Sequence, residues 1–128
     1  MEAVKKAETR DKAIKISVIM GVYNPAGKQQ LFAAVRSIIG QTFPWWEMII
    51  YDDGSSPDYA ETIREAAALD DRIVYMRENC NRGLAYALNQ CIMKSRGKYI
   101  ARMDADDISK PDRLEKLYDF LENHREYA

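Results

Sequence analysis

Two carboxylates one residue apart, Asp104 and Asp106, with Asp107 directly after them, are the side chains from which chemistry is most readily built in this 128-residue chain. In an irregular or extended loop, side chains at i and i+2 share a face, so both carboxylates can aim to one side. Hard oxygen ligands of this kind suit Mg2+ or Mn2+, which take one or two carboxylates and complete their shell with phosphate oxygens and water. A diphosphate would fit that shell. A second acidic pair, Asp52-Asp53, runs into Gly54-Ser55. Like charges so close cost stability unless a cation or a proton intervenes, and a bound cation is the economical expectation.

Groups so far apart in sequence must be gathered by the elements between them. Ile16–Val22 reads as a buried strand: short, apolar, rich in β-branched residues and ended by Asn24-Pro25. Leu31, Val35, Ile38 and Ile39 then fall at helical spacing up to Gly40, a residue suited to the position after a helix. The alternation repeats with an apolar strand at Met48–Tyr51, a helix over Tyr59–Leu69 and a shorter strand at Arg72–Met76. From Gly83, Leu84, Leu88, Cys91 and Ile92 share a helical face, and Gly97-Lys98 leads into a fourth strand, Tyr99–Met103. Ser109 and Asp112 have capping-box-like spacing, with Pro111 in the first turn of a last helix that carries Leu114, Leu117, Tyr118 and Leu121. Strands alternating with helices predict an α/β fold with a mostly parallel sheet and helices on both faces. In such sheets ligands bind beyond the carboxyl ends of the strands, where Tyr23-Asn24, Asp52-Asp53, Asn81-Arg82-Gly83 and Asp104-Asp106 all fall.

The bulk numbers narrow the classes. One core is what 128 residues with 47% hydrophobic content support, so residues 14–128 read as one unit behind a polar leader, residues 1–13. Nineteen Lys+Arg against twenty Asp+Glu leave no electrostatic footprint for a nucleic-acid backbone. Cys80 and Cys91 have neither CxxC spacing nor a multi-cysteine framework, which points to reduced thiols in the cytosol. No apolar run approaches the length of a spanning helix, and the leader lacks the apolar region of a secretory signal.

Several motifs come close and fail. From Gly21 to Gly27-Lys28 the spacing is one residue too long for a P-loop, and Gln29 stands where Ser or Thr would bind Mg2+. An EF-hand reading of Asp104, Asp106 and Glu115 meets Ile108 and Ser109 where a ligand and a glycine belong. A phospho-receiver domain would carry its acidic pair after the first strand, and a haloacid-dehalogenase phosphatase its D-x-D there too. Here the acidic clusters follow strands two and four.

Taken together, Ser17-Val18-Ile19-Met20-Gly21-Val22-Tyr23-Asn24, Ser37 with Gln41-Thr42, Glu47-Met48-Ile49-Ile50-Tyr51-Asp52-Asp53-Gly54-Ser55, Asn81-Arg82-Gly83-Leu84, and Asp104-Ala105-Asp106-Asp107 with Pro111-Asp112-Arg113-Leu114 resemble the family-2 inverting glycosyltransferases of the GT-A fold. The resemblance runs from Ile16 to about Leu121. It implies a Rossmann-like nucleotide-sugar-binding half that uses a UDP-sugar and Mg2+ or Mn2+ to glycosylate a saccharide or glycolipid acceptor. Such work belongs in the cytoplasm, at the inner face of the membrane. Tyr23 and Asn24 would line the nucleotide pocket and Asp53 would accept a hydrogen bond from a uracil-like base, with Asp52 structural. Asn81, Arg82 and Gly83 would lie near the nucleotide, Arg82 toward phosphate charge. Asp104 would contact ribose or base while Asp106, with Asp104, holds the metal. Asp107 and Asp112 are expected to be loop and cap residues. The general base of this family comes from an acceptor-binding half expected beyond Ala128, so no catalytic base is assigned. His124 is expected to be exposed, and Trp45-Trp46 to cover the opposite edge of the sheet. The alternative is a non-catalytic nucleotide-binding or interaction module of the same fold, whose exposed edge mates with another domain or a second copy as a homo-oligomer.

Overall fold

The computed structural model describes residues 14–127, so the predicted polar leader lies outside the described residues. The expected alternation is present as β1 (Ile16–Val22), α1 (Lys28–Ile39), β2 (Trp46–Asp53), α2 (Pro57–Ala67), β3 (Ile73–Glu78), α3 (Leu84–Lys94), β4 (Tyr99–Arg102) and α4 (Arg113–Asn123), closed by a short 3-10 turn, Arg125–Tyr127. The strands form one sheet in the order β3-β2-β1-β4, every pairing parallel. The α/β fold class and parallel sheet read from the sequence therefore hold.

Strand order explains the layering. The first two crossovers step in one direction and the third returns past β1, so right-handed connections put α1 and α2 on one face and α3 on the other. Side-chain alternation agrees. Val18, Met20, Met48 and Ile50 pack with Leu31, Val35 and Ile38 of α1, Ile63 and Ala66 of α2, and Leu114 of α4. Ile19, Ile49 and Tyr51 meet Ala87 and Cys91 of α3. All eight residues of the inner strand β2 are buried, as a strand covered on both faces requires.

That burial includes Glu47, an acid in an apolar layer. It is tolerated because Oε2 accepts hydrogen bonds from Ser17 Oγ at 2.6 Å and the Arg96 backbone N–H at 2.6 Å, while Oε1 accepts one from Arg96 Nε at 3.1 Å. This network lies at the amino edge of the sheet, away from the loops of interest. Trp46 is also there, a buried strand residue with the Arg72 guanidinium 3.8 Å from its ring centroid. Trp45 is half exposed and edge-on to Phe43, so only Trp45 acts as a surface cover.

Two local expectations are corrected. Leu84 and Ile92 were assigned to the buried face of α3, yet both are exposed and the helix turns Ala87 and Cys91 inward. Gly21 lets the start of α3 come close, since a Cβ there would stand 2.9 Å from Leu84 Cδ1 and 3.2 Å from the Ala87 Cβ. Ser109 was read as opening the last helix. The N-cap is Asp112, whose side chain makes no capping bond and instead pairs with Lys116 at 3.0 Å.

α4 is tied to the β4 edge by Glu122, whose carboxylate accepts hydrogen bonds from Lys98 Nζ and the Tyr99 hydroxyl. These bonds hold Glu122 at about 2, below its ordinary 4.5. A depressed carboxylate contributes stability above its ordinary value and loses it as pH falls toward the folded one. Thermal unfolding followed between pH 5 and 2 should therefore decline less steeply in Glu122→Gln than in the parent across the window from 4.5 to about 2. Equal slopes would show that the contact adds nothing to stability.

Candidate functional site

β2 ends in the two acids at the carboxyl edge of the sheet, and their burial decides what each can do. Asp52 is fully buried. Its Oδ1 accepts the Ser55 N–H at 3.0 Å, and its Oδ2 accepts the Tyr75 hydroxyl at 2.9 Å and Arg77 Nη1 at 2.5 Å. Burial and the Asp52 carboxylate together push the Tyr75 phenol above its ordinary value. Asp52 is thus structural, as expected.

Asp53 is also buried, and it is a clamp. Oδ1 accepts the Arg82 N–H at 2.9 Å; Oδ2 accepts the Gly83 N–H at 2.8 Å and Asn81 Nδ2 at 3.1 Å. The loop can come this close because Gly54 has no side chain: with φ at 76°, a Cβ there would lie 2.6 Å from the Asn81 nitrogen. Gly83, at φ 98°, is the N-cap of α3, so the Asp53 charge also faces the positive end of that helix. The expectation that clustered acids here call for a cation is overturned for this pair. Arg77, reaching across from β3, and the loop N–H groups compensate Asp52 and Asp53.

Above Asp53 opens a cavity of about 190 Å3. Its walls are Gly21, Val22 and Tyr23 at the end of β1, Asn81 and Gly83 of the loop, and Leu84 and Ala87 at the start of α3. Nothing stands within 4 Å of the Gly83 Cβ position, so that backbone is open to close approach. The six residues expected around the nucleotide at this end do not all meet here. Asn24 is turned away: its N–H donates to Ser55 Oγ at 2.8 Å and its Oδ1 accepts the Ser56 N–H at 3.0 Å, which fastens β1 to the start of α2. Its φ of 41° is the left-handed value that lets it do so. Arg82 gives the site only its backbone, since its Nε lies 3.3 Å from Glu78 Oε2 and its guanidinium over the Tyr86 ring. Tyr23, Asp53, Asn81 and Gly83 remain on the cavity.

Asp104, Asp106 and Asp107 follow β4 in a turn rather than an extended loop. The Asp107 N–H donates to the Asp104 carbonyl at 3.1 Å, and Asp107 Oδ2 accepts the Asp104 N–H at 3.1 Å. The i, i+2 argument for a shared face therefore does not describe this segment. Asp107 is the loop-closing residue expected of it. Asp104 is exposed, with Oδ1 3.4 Å from Arg102 Nη2. The exposed Asp106 carboxylate has no partner among the described residues. It borders a second cavity of about 120 Å3 with Pro25, Ala26, Gly27 and Gln30 at the start of α1. This is the point where strand order reverses between β1 and β4, the usual ligand position in open α/β sheets. Only Asn24 separates the two cavities along the chain.

Among the described residues no three acids, histidines or cysteines gather around one point. Two exposed carboxylates nevertheless fit a hard divalent cation that draws most of its shell from phosphate and water. Neither thiol competes for the part. Cys80 is exposed and outside both cavities, and burial pushes the Cys91 thiol up to about 11. His124 is exposed at the end of α4 and stacked on Phe120, as expected.

The residues that hold the acidic turn in place had no assigned role in the sequence. Gln41 Nε2 donates to the Lys110 carbonyl at 2.6 Å and the Ser37 carbonyl at 2.9 Å, and its Oε1 accepts the Leu114 N–H at 2.9 Å. Ser37 Oγ accepts the Ser109 N–H at 3.0 Å, and the Thr42 N–H donates to the Pro111 carbonyl at 2.8 Å. Ser37, Gln41 and Thr42 thus weld the end of α1 to the segment between the turn and α4. Gln41→Ala strands those partners and should destabilise the fold by about 2 kcal/mol in a denaturant titration. An unchanged midpoint would mean that water replaces all three bonds.

Residues 17–128 match the family described as Glycosyl transferase family 2. EpsE of Bacillus subtilis, described as a glycosyltransferase, is 43% identical over 114 residues, covering 88% of this chain and 40% of EpsE. TuaG of the same organism, described as a teichuronic acid biosynthesis glycosyltransferase, is 37% identical, covering 83% of this chain and 41% of TuaG. Among solved structures, Staphylococcus aureus TarS 1-349 in complex with UDP-GlcNAc superposes with a TM-score of 0.76 at 23% identity, covering 87% of this chain and 32% of that one. The mannosyltransferase PcManGT from Pyrobaculum calidifontis, in complex with GDP-Man and Mn2+, gives 0.74 at 24% identity, covering 84% and 32%. The chain spans about two fifths of the length of EpsE and TuaG.

Proposed function

Because the chain belongs to glycosyl transferase family 2, we propose that it is the donor-binding portion of an inverting glycosyltransferase that uses a UDP-sugar. The observation that carries this reading is the pairing of the Asp53 cavity with the exposed Asp104–Asp107 turn, one binding a flat base and the other facing the charged end of the same molecule. Tyr23 offers a ring at the cavity wall. Asp53 Oδ1 accepts one hydrogen bond within the chain and can take a second, which suits the single imino N–H of uracil. Gly83 admits the ribose to the backbone.

Asp106, with Asp104, would hold Mg2+ or Mn2+ against the diphosphate. Bound there, the cation supplies Lewis-acid neutralisation of the leaving nucleoside diphosphate. For the donor to bind this way, Asp104 must exchange its long contact to Arg102 for the ligand, an exposed contact that costs little to break. Removing the acceptor's proton needs a general base within hydrogen-bond reach, and we assign it to the part of the longer relatives that this chain does not span. No helix among the described residues is long and apolar enough to cross a membrane. We place transfer to a saccharide or glycolipid acceptor at the cytoplasmic face of a membrane, in keeping with the teichuronic acid biosynthesis for which TuaG is described.

Calorimetric titration with UDP, with and without Mn2+, tests the reading. Binding that Mn2+ strengthens, and that Asp106→Ala returns to the metal-free level, is the expected result. No binding in either condition would sink it, and a stable oligomer indifferent to UDP and to Asp106→Ala would favour the interaction-module alternative.

A further inference from the structure

A cleft of about 520 Å3 opens beside the acidic turn, between the end of β4 and the first turn of α4. It is outside the donor cavities, and its charge is lopsided. Arg102, Lys110, Arg113 and Lys116 line it against two carboxylates, Asp107 and Asp112. Asp112 is paired with Lys116, while Asp107 accepts only the neutral Asp104 N–H and keeps its charge in the cleft. Lys110 and Arg113 form no salt bridge among the described residues, although Lys110 is near enough to Asp112 to help hold its carboxyl below the ordinary value.

Arg113 is the telling member. Its Nη1 donates to Ser109 Oγ at 3.2 Å and its Nη2 to the Arg102 carbonyl at 3.0 Å, both neutral oxygens. The half-buried guanidinium is therefore fixed in direction without forming a salt bridge. A guanidinium held in this way loses little freedom when it meets an oxyanion, and Lys110 adds a second, mobile cation across the cleft. The first turn of α4 contributes its positive end to the same space. Two cations outside any salt bridge, against one carboxylate without a cationic partner, in a cleft larger than one phosphate, describe a site for a phosphate group with a polyol or sugar attached.

We propose that this cleft binds a phosphate carried by the acceptor. The proposal rests on the donor-binding reading, because the turn that presents Asp106 to one cavity presents Asp107 to the cleft, so an acceptor seated there would meet the donor across the turn.

The test titrates the chain with glycerol 3-phosphate, with neutral glycerol, and with vesicles of phosphatidylglycerol or phosphatidylcholine, following amide chemical shifts. Shifts around Lys110 and Arg113 with a phosphate probe and none with glycerol are expected. Lys110→Glu, a change at an exposed side chain, should weaken that binding about tenfold and leave UDP binding unaltered. Binding of soluble glycerol 3-phosphate identifies a polyol or saccharide phosphate as the source, and binding confined to phosphatidylglycerol vesicles identifies a lipid phosphate. If no phosphate probe binds a chain that binds UDP, or if UDP displaces the probe, or if Lys110→Glu changes nothing, the proposal is overturned and the donor reading stands. If UDP fails to bind while the phosphate shifts appear, the donor reading falls and the acceptor role with it.

Discussion

Asp53→Asn, a change of one atom, will lower the stability of the fold by about 3 kcal/mol and weaken UDP binding about thirtyfold. The size of the effect follows from the donors around the side chain. One oxygen of Asp53 accepts the Arg82 N–H, and the other accepts the Gly83 N–H and Asn81 Nδ2. An asparagine has one acceptor oxygen and one donor nitrogen, so whichever way it turns, its NH2 is driven against an N–H that has no other partner. Bonds to a charged acceptor are the strong ones, and burial leaves no water to replace them. The 81–83 loop is then released from β2, and the cavity wall made by Asn81 and Gly83 must be re-formed whenever a nucleotide binds. Thermal unfolding and a UDP titration of the same variant measure the two effects. A normal melting temperature with lost UDP affinity would mean that Asp53 serves the base alone; a lower one with normal affinity would mean that it serves the loop alone.

What made the fold legible was the run of apolar side chains in inner parallel strands. Ile16–Val22 is buried almost without interruption and was located to the residue. β2 was placed but shortened, because Glu47 and the Asp52-Asp53 pair look like loop. They are strand residues whose charges are met from far along the chain, Glu47 by Ser17 and Arg96 and Asp52 by Arg77. A local pattern cannot show a partner 49 residues away. The same blindness made Asp52-Asp53 look like a request for a cation. On α3 the expected face is right at Leu88 and Cys91, and what it lacks is Ala87, whose packing depends on Gly21 in another element.

The site was legible at the level of loops, because a parallel sheet sends every strand's carboxyl end to one edge and the polar segments all fell there. It was less legible at the level of side chains. Asn24 and Arg82 are in loops at that edge but spend their side chains on Ser56 and Glu78. Gln41, just past the glycine that ends α1, shows no role in the sequence, and its role appears only when α4 folds back over α1.

Arg77→Met should cost about 3 kcal/mol, less than the upper range for breaking a buried ion pair because Asp52 keeps two other donors. Arg77 itself retains some exposure, whereas Asp52 has none, so the cost comes from the acid left behind. The Ser55 N–H and the Tyr75 hydroxyl still solvate Asp52, but both are neutral donors and its salt bridge is gone. Arg77 also holds the Ser55 carbonyl through Nη2 at 2.8 Å, and Ser55 Oγ in turn receives the Asn24 N–H. Losing Arg77 therefore loosens the turn after β2 and the end of β1 together, although Asp53 still binds its loop. Stability should fall about as far as in Asp53→Asn while UDP affinity falls less, and a denaturant titration beside a UDP titration separates the two. The decisive comparison is a double-mutant cycle with Asp52→Asn. If charge left unpaired is the cause, Asp52→Asn in the Arg77→Met background should restore about 1–2 kcal/mol, although the same change is destabilising in the parent. Additive losses would instead assign the effect to the Ser55 carbonyl contact, and the buried acid would then be stable on its two neutral donors alone.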